Sequence, residues 1–200
     1  DITDYPKSDN PGTFCVMLDH GFTALKKTSM VRLPSGKSVA DAALHLDLIA
    51  SGSAAEAEIH ERKWGIPPEK IVITGLARYD RLYALSRVIT APPRNILYMP
   101  SWREWNSRKV SLSRTEFFRQ VTAFLADDAL RGCLAQSGLR LQLYVHMWMR
   151  EFFEDFRKRL SMENVEVLDQ DIDLQATLLG SALLVTDYSS ICWDFLFLDR

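Results

Sequence analysis

Two adjacent serines, Ser189 and Ser190, occupy a position at which a protein could bind an anion. They follow the apolar run Leu183–Val185 and a polar tripeptide at 186–188, and an apolar helical pattern begins at Ile191. This pattern predicts a buried parallel strand, a short turn and a buried helix. The first N–H groups of a helix lack intrahelical partners and lie at the positive end of its dipole, so the two serines could help to hold a phosphate. Plain N-capping by serine is the alternative.

Three further apolar runs also end in polar, cationic or proton-active residues. The runs cover 14–18, 96–99 and 139–145, and the residues that follow them include His20, Ser101, Arg103 and His146. In an open sheet of parallel strands, ligands bind outside the carboxyl ends of the strands. The four strand endings can therefore share one edge.

The predicted elements that would position these residues fall into two groups, and Pro92 and Pro93 favour a boundary at 90–94. Before the boundary we predict strands at 14–18, 47–49 and 71–73, and a helix at 56–63 between Ser53 and Gly65. Beyond it, predicted strands at 96–99, 139–145, 165–168 and 183–186 alternate with predicted helices at 114–136, 149–160, 174–180 and 191–198. Such alternation predicts a parallel, doubly wound α/β sheet.

The composition limits the class of protein. A chain of 200 residues that is 47% hydrophobic can bury a core, and it fits one large domain or parts of two. The net charge of -2 argues against a nucleic-acid surface. The 3 cysteines lie in apolar runs without a CxxC motif, which supports neither a zinc site nor a disulfide framework. No run approaches the ~20 apolar residues of a membrane span.

Several blocks of the sequence resemble the CDP-glycerol glycerophosphotransferases, the family that builds teichoic acid chains and related capsule polymers. The blocks are Asp19-His20-Gly21 with Leu25-Lys26-Lys27, Ile73 to Leu82, Ile96 to Arg103, His146, and Leu183 to Arg200 as LLVTDYSSICWDFLFLDR. The last block is the most specific. The chain departs from the family pattern at Asp19, where tryptophan is usual, and at Met147, where proline is usual.

The resemblance implies a GT-B-like fold, in which two Rossmann-like α/β domains face each other across a cleft. Residues 1–88 would form the C-terminal half of the first, acceptor-side domain, and residues 94–200 the N-terminal part of the second, nucleotide-donor domain. Because the chain begins at Asp1 without a methionine and stops directly after a predicted helix, we expect it to be a piece of a longer protein. Alone it would be inactive and marginally stable, since a partial sheet exposes an unpaired edge.

The activity that the resemblance implies is transfer of glycerol phosphate, or a related polyol phosphate, to a hydroxyl of a cell-surface polymer with release of CMP. The expected partners are CDP-glycerol or a similar CDP-polyol, and an anionic polymer or lipid-linked acceptor, with no nucleic acid. The protein would work in the cytoplasm, attached peripherally to the inner face of the bacterial plasma membrane through parts outside this chain. No cofactor is identified, and a divalent-metal requirement stays open.

The attack of a hydroxyl on phosphorus needs a base, and the departing CMP needs N–H groups and cations. The resemblance therefore implies catalytic roles for His20 and His146, with His20 as the base and His146 as a proton acceptor or phosphate ligand. Donor or phosphate binding is assigned to Ser189, Ser190, Arg103, Ser101 and Asp187, and acceptor or polymer binding to Lys26, Lys27 and Arg78.

Two other functions stay open, namely a GT-B glycosyltransferase that uses a nucleotide sugar and a non-catalytic module that binds a nucleotide or an anionic polymer. Several residues also have structural interpretations. Asp187 could do no more than fix the turn before the serines. Lys26 and Lys27 could form a solvated helix face, and Arg103 could simply cap and pack. The remaining histidines, His45 and His60, are predicted to be structural or on the surface. A set of aromatic residues at helical spacing is predicted to be core, namely Phe117, Phe118, Phe152, Phe153 and Phe156.

Overall fold

The computed structural model describes residues 12–18, 46–101, 114–146, 149, 153–160 and 162–199. Contacts between residues divide the chain into two units, Asp1–Tyr83 and Ala84–Arg200. Each unit has its own parallel sheet, with three strands in the first and four in the second.

The sheet of the first unit has the strand order β1-β2-β3, and all of its strand pairs are parallel. Its strands are β1 (Val16–Leu18), β2 (Leu48–Ser51) and β3 (Ile71–Ile73). Helix α1 (Ala54–Trp64) connects β2 to β3, with a 3-10 turn at Pro68–Lys70 before β3. Helix α2 (Arg78–Val88) follows β3 and extends beyond Tyr83 into the second unit.

Both ends of α1 follow from local chemistry that the sequence predicts correctly. The Ser53 hydroxyl accepts a hydrogen bond from the Glu56 N–H at 3.2 Å, which satisfies one of the unpaired donors of the first turn. At the other end Gly65 takes a φ of +67°, a left-handed conformation that a residue with a β-carbon rarely adopts.

The sheet of the second unit has the strand order β6-β5-β4-β7, and all of its strand pairs are parallel. The strands are β4 (Asn95–Met99), β5 (Arg140–Leu143), β6 (Val165–Val167) and β7 (Ser181–Thr186). The helices are α3 (Glu116–Leu125), α4 (Asp128–Ser137), α5 (Phe153–Leu160), α6 (Leu174–Leu179) and α7 (Ile191–Phe197). The predicted alternation of strands and helices into a parallel sheet is confirmed.

Helices cover both faces of this sheet, as a doubly wound fold requires. Alternate residues of β4 belong to different apolar clusters, because successive side chains of a strand point to opposite faces. Ile96 and Tyr98 pack with residues of α3, α4 and α5, whereas Leu97 and Met99 pack with residues of α6 and α7. The predicted aromatic core is confirmed for Phe118, Phe153 and Phe156, which are buried, and for Phe117, which is partly buried against the same cluster; Phe152 lies outside the described residues.

The prediction of one helix over 114–136 is wrong, because the structure has two helices there. The Asp127 carboxylate accepts a hydrogen bond from the Leu130 N–H at 2.9 Å and so caps the start of α4. Aspartate favours this N-cap position over a helix interior, because its short side chain bonds nearby backbone N–H groups.

The prediction of a strand followed by a helix is confirmed at 183–185 and 191–198, but the prediction that both are buried is wrong in part. Strand β7 is the last in the strand order and pairs only with β4 within the described part of the chain. Leu183 is consequently 50% exposed, and Leu196 and Phe197 of α7 are also exposed, whereas Ile191 and Phe195 are buried.

The three cysteines, Cys15, Cys133 and Cys192, are all free thiols. Among the described helices, none has both the length and the apolar character that crossing a bilayer requires.

Candidate functional site

Three strands of the second unit end side by side at one edge of the sheet. The strand register pairs Met99 of β4 with Thr186 of β7, and Tyr98 of β4 with Leu143 of β5. Ser101, His146 and Ser189 follow the carboxyl ends of β4, β5 and β7 within two or three residues. They therefore follow neighbouring strand ends at one edge of the sheet, as the sequence predicts, which is where open α/β sheets bind ligands.

One contact joins the last residues of β4 and β7, and a second joins the segments that follow these strands. The Thr186 hydroxyl donates a hydrogen bond to the Met99 carbonyl at 2.7 Å. One residue further on, Asp187 Oδ1 accepts from the Ser101 N–H at 3.0 Å and from the Tyr188 N–H at 2.9 Å. We call the second arrangement, formed by Asp187 with Ser101 and Tyr188, the Asp187 bridge. Because this carboxylate is already engaged by backbone N–H groups, its geometry fits positioning of Ser101 better than direct contact with a phosphate of like charge.

Replacing Asp187 with alanine should lower the free energy of unfolding by about 1–3 kcal/mol, because two N–H groups lose their shared acceptor. Asp187→Asn is the matched control, since an amide Oδ1 can still accept both hydrogen bonds, and it should lose less than about 1 kcal/mol. Chemical denaturation of the two variants measures the difference. An Asp187→Ala protein as stable as wild type would mean that the Asp187 bridge does not hold these segments together.

The two serines before α7 do not act as ordinary helix caps. Ser190 occupies the N-cap position with a helical backbone conformation, and its side chain makes no capping hydrogen bond. The Ser189 hydroxyl accepts from the Ile191 N–H only at 3.4 Å, which is long for a hydrogen bond. Plain N-capping, the structural alternative for these serines, therefore fits the geometry poorly.

His146 follows β5 at the same edge, with its side chain exposed and the preceding Val145 fully buried. Partial burial of the imidazole lowers the pKa of His146 below the ordinary value of a histidine. The imidazole is therefore mostly neutral at pH 7, and in this form it can accept a proton or donate one N–H. Nearby, burial and the negative charge of Asp171 raise the pKa of Tyr144, which stays protonated at neutral pH.

Sequence reasoning missed a residue beside His146. The Gln170 side chain donates a hydrogen bond from Nε2 to the Val145 carbonyl at 2.9 Å. Gln170 lies between β6 and α6 in no recognisable motif, so no signal in the sequence could have identified it.

In the first unit, β1 ends at Leu18, two residues before His20. Because β1 belongs to a different sheet from β4, β5 and β7, the prediction that all four strand endings share one edge of one sheet is wrong, and only the three endings of the second unit do so. Arg78 begins α2, shortly after Gly75, whose φ is +77°. Four predicted site residues lie outside the described residues, namely His20, Lys26, Lys27 and Arg103.

The structural interpretation of His60 is confirmed. Its Nδ1 lies 2.7 Å from Ser51 Oγ at the end of β2, and both residues are 0% exposed. The His60 ring also packs against Trp64, with 4.5 Å between the ring centroids. His45 lies outside the described residues. Within the described ranges, no group of three or more His, Cys, Asp or Glu residues is arranged to hold a metal ion.

Comparison with known proteins finds teichoic acid proteins as relatives, at low sequence identity. The minor teichoic acid biosynthesis protein GgaB of Bacillus subtilis (strain 168) is 22% identical, over 74% of this chain and 17% of GgaB. A structure of the wall teichoic acid polymerase TagF superposes with a TM-score of 0.61 and 18% identity, covering 98% of this chain and 49% of TagF. A TagF histidine variant soaked with CDPG also gives a TM-score of 0.61 at 18% identity, over 96% of this chain and 49% of the variant.

The chain thus spans about half of TagF and a smaller share of GgaB. The parallel α/β sheets and the match to TagF confirm the predicted GT-B-like fold class. The family model for CDP-glycerol:poly(glycerophosphate) glycerophosphotransferase matches residues 5–200, which is nearly the whole chain. The chain therefore belongs to the CDP-glycerol:poly(glycerophosphate) glycerophosphotransferase family.

Proposed function

We propose that this protein transfers glycerol phosphate, or a related polyol phosphate, from a CDP-activated donor to a hydroxyl of a cell-surface polymer. Membership of a glycerophosphotransferase family supports the class of reaction. The names of GgaB and TagF support teichoic acid as the class of product. The observation that carries the proposal is the shared sheet edge, where Ser101, His146 and Ser189 follow three neighbouring strands.

In the proposed reaction, the acceptor hydroxyl oxygen attacks the outer phosphorus of the CDP-activated donor. His20 takes the hydroxyl proton, the bond between that phosphorus and the bridging oxygen breaks, and CMP leaves with the electron pair. Neutral N–H and O–H donors, together with cations, stabilise the charge that develops on the leaving phosphate. Ser189 and Ser190 would supply hydroxyl and N–H donors, Ser101 its hydroxyl, and Arg103 the positive charge.

We further propose that residues 1–88 serve the acceptor and residues 94–200 the nucleotide donor. Lys26, Lys27 and Arg78 would bind the anionic polymer or lipid-linked acceptor, since cationic side chains pair with phosphates. The reaction would take place at the cytoplasmic face of the bacterial membrane, where a CDP-activated donor is available to a peripherally bound enzyme.

Changing both Ser189 and Ser190 to alanine should weaken CDP-glycerol binding by about 5- to 150-fold, which corresponds to the 1–3 kcal/mol of lost hydrogen bonding. The measurement is isothermal titration calorimetry of CDP-glycerol with the full-length protein. Ser137→Ala is the control, because Ser137 lies at the end of α4 and donates to the Leu134 carbonyl. An unchanged affinity in the double variant would leave both serines without a role in donor binding.

The choice of donor is tested by thermal protection of the same protein. A ligand that binds only the folded state raises the melting temperature in proportion to the logarithm of its concentration over Kd. We expect protection by CDP-glycerol and release of CMP when a polymer acceptor is added. Protection by a UDP-sugar alone would indicate a glycosyltransferase, and protection by CDP-glycerol without turnover would indicate a binding module.

A further inference from the structure

The side chain of Gln170 is oriented unambiguously by the hydrogen bond that it makes. Its amide contacts the Val145 carbonyl at 2.9 Å. A carbonyl oxygen can only accept, so the atom in contact must be Nε2, and the opposite assignment of the amide is excluded. The other amide atom, Oε1, is buried and has no hydrogen-bond partner within the described part of the chain.

These contacts of the Gln170 side chain contribute little net free energy to folding. A buried acceptor without a donor loses its bonds to water and gains nothing in return. The single hydrogen bond from Nε2 therefore comes with an opposing penalty from Oε1 on the same side chain. What the hydrogen bond does fix is the position of the Val145 carbonyl.

The group that Gln170 holds is the peptide directly before His146. The Val145 carbonyl accepts from Gln170, and the His146 carbonyl accepts from the Met149 N–H at 2.7 Å. The backbone is thus fixed on both sides of His146, whereas its imidazole is only partly buried at the sheet edge.

The segment that carries Gln170 is itself anchored at both ends. The Leu168 N–H donates to the Leu143 carbonyl of β5 at 2.9 Å, and the Leu168 side chain is buried. Three residues after Gln170, Asp173 caps α6 by accepting from the Ala176 N–H at 3.2 Å. Gln170 is therefore held at a fixed distance from β5.

We propose that Gln170 is a positioning residue for His146, because it fixes the peptide from which the imidazole extends. The inference rests on the proposed function in one respect, namely that His146 acts on the donor. Loss of the Gln170 N–H would free the peptide and let the imidazole leave its partly buried position.

The chain offers a matched control in Gln142, which lies on β5 four residues before His146. Its Nε2 donates to Glu166 Oε2 at 2.9 Å, and its Oε1 is also buried and has no hydrogen-bond partner among the described residues. Gln142→Met and Gln170→Met therefore remove the same chemical groups, but only the second change touches the peptide before His146.

The first measurement is the pKa of His146, which an NMR titration gives. The His146 signal is identified as the one that a His146→Gln variant lacks. Gln170→Met should raise the pKa toward the ordinary value of about 6.5, since the imidazole gains hydration. The second measurement is kcat/KM for CDP-glycerol with the protein that the complete gene encodes. Gln170→Met should lower it about tenfold or more, as expected when a reacting group is misplaced. Gln142→Met should change neither quantity.

A Gln170→Met protein with the wild-type His146 pKa and kcat/KM would overturn the proposal, as would equal effects of the two glutamine variants. If Gln170→Met does not fold, Gln170→Leu and Gln142→Leu form the same comparison, because leucine also removes the amide and adds no charge. The titration needs no substrate. A wild-type protein without CDP-glycerol turnover would therefore refute the proposed function, while the pKa comparison would still decide the role of Gln170.

Discussion

Replacing His20 with alanine should lower kcat by roughly two to four powers of ten, with little loss of affinity for CDP-glycerol. An alcohol is a weak nucleophile at neutral pH, and a positioned imidazole that accepts its proton in the transition state supplies a rate factor of that size. In the sequence His20 comes two positions after the end of β1 and is followed by a glycine, a residue type that generally allows a ligand to approach the backbone closely. Steady-state kinetics with CDP-glycerol and a polymer acceptor, together with equilibrium binding of the donor, check both parts.

The control for this experiment is His45→Ala, which removes an imidazole without a matching sequence context. It should leave kcat within about threefold of wild type, as expected for a change outside the site. A His20→Ala enzyme with near-normal kcat would show that another group accepts the proton.

Replacing His146 with alanine should impair donor binding at least as much as turnover. His146 follows β5, whose neighbour β4 leads to Ser101, and β7, which leads to Ser189, pairs with the other side of β4. A hydrogen bond from the imidazole to a charged phosphate contributes about 1.5–3 kcal/mol, so we expect the dissociation constant for CDP-glycerol to rise about 10- to 150-fold. Titration calorimetry with the complete gene product measures this change. The two histidine roles are reversed if His146→Ala abolishes kcat and leaves donor affinity intact, while His20→Ala retains a near-normal kcat.

The lowered pKa of His146 also predicts the direction of a pH effect. Its cause is burial, which favours the neutral form in the folded protein. Between the folded pKa and the unfolded value of about 6.5, the unfolded chain binds more protons. The contribution of His146 to stability is therefore present above pH 6.5 and decreases as the pH falls through the folded pKa. His146→Ala should reduce this acid sensitivity.

Much of the second unit could be predicted because its strands and helices carry strong local signals. The strands at β4, β5 and β7 are short apolar runs that end in polar residues, and the parallel sheet follows from their alternation with helices. The shared edge then follows from geometry, since parallel strands end on the same side. The sequence blocks of the family lead to the same edge, because the most specific of them covers β7 and α7.

The errors arise where the structure depends on competition between local and distant interactions. Nothing in the periodicity of 114–136 marks a break, yet Asp127 is more stable as the cap of α4 than inside a helix. The exposure of Leu183 depends on its place at the end of the strand order, which no local pattern reveals. Gln170 was missed because its role depends on the partner that it reaches across the fold, a carbonyl at 2.9 Å and 25 positions away in the chain.

The Asp187 bridge has a consequence for the biosynthesis of the protein. Asp187 and Ser101 are 86 positions apart in the chain. At a translation rate of about 5–20 residues per second, the ribosome needs roughly 4–17 seconds to reach Asp187 after it has incorporated Ser101. Strand β4 can pair with β5 during this interval, but its other edge must wait for β7. This edge of the sheet is thus completed only after β7 has been synthesised, and until then the open side of β4 exposes unpaired backbone groups that a chaperone could shield.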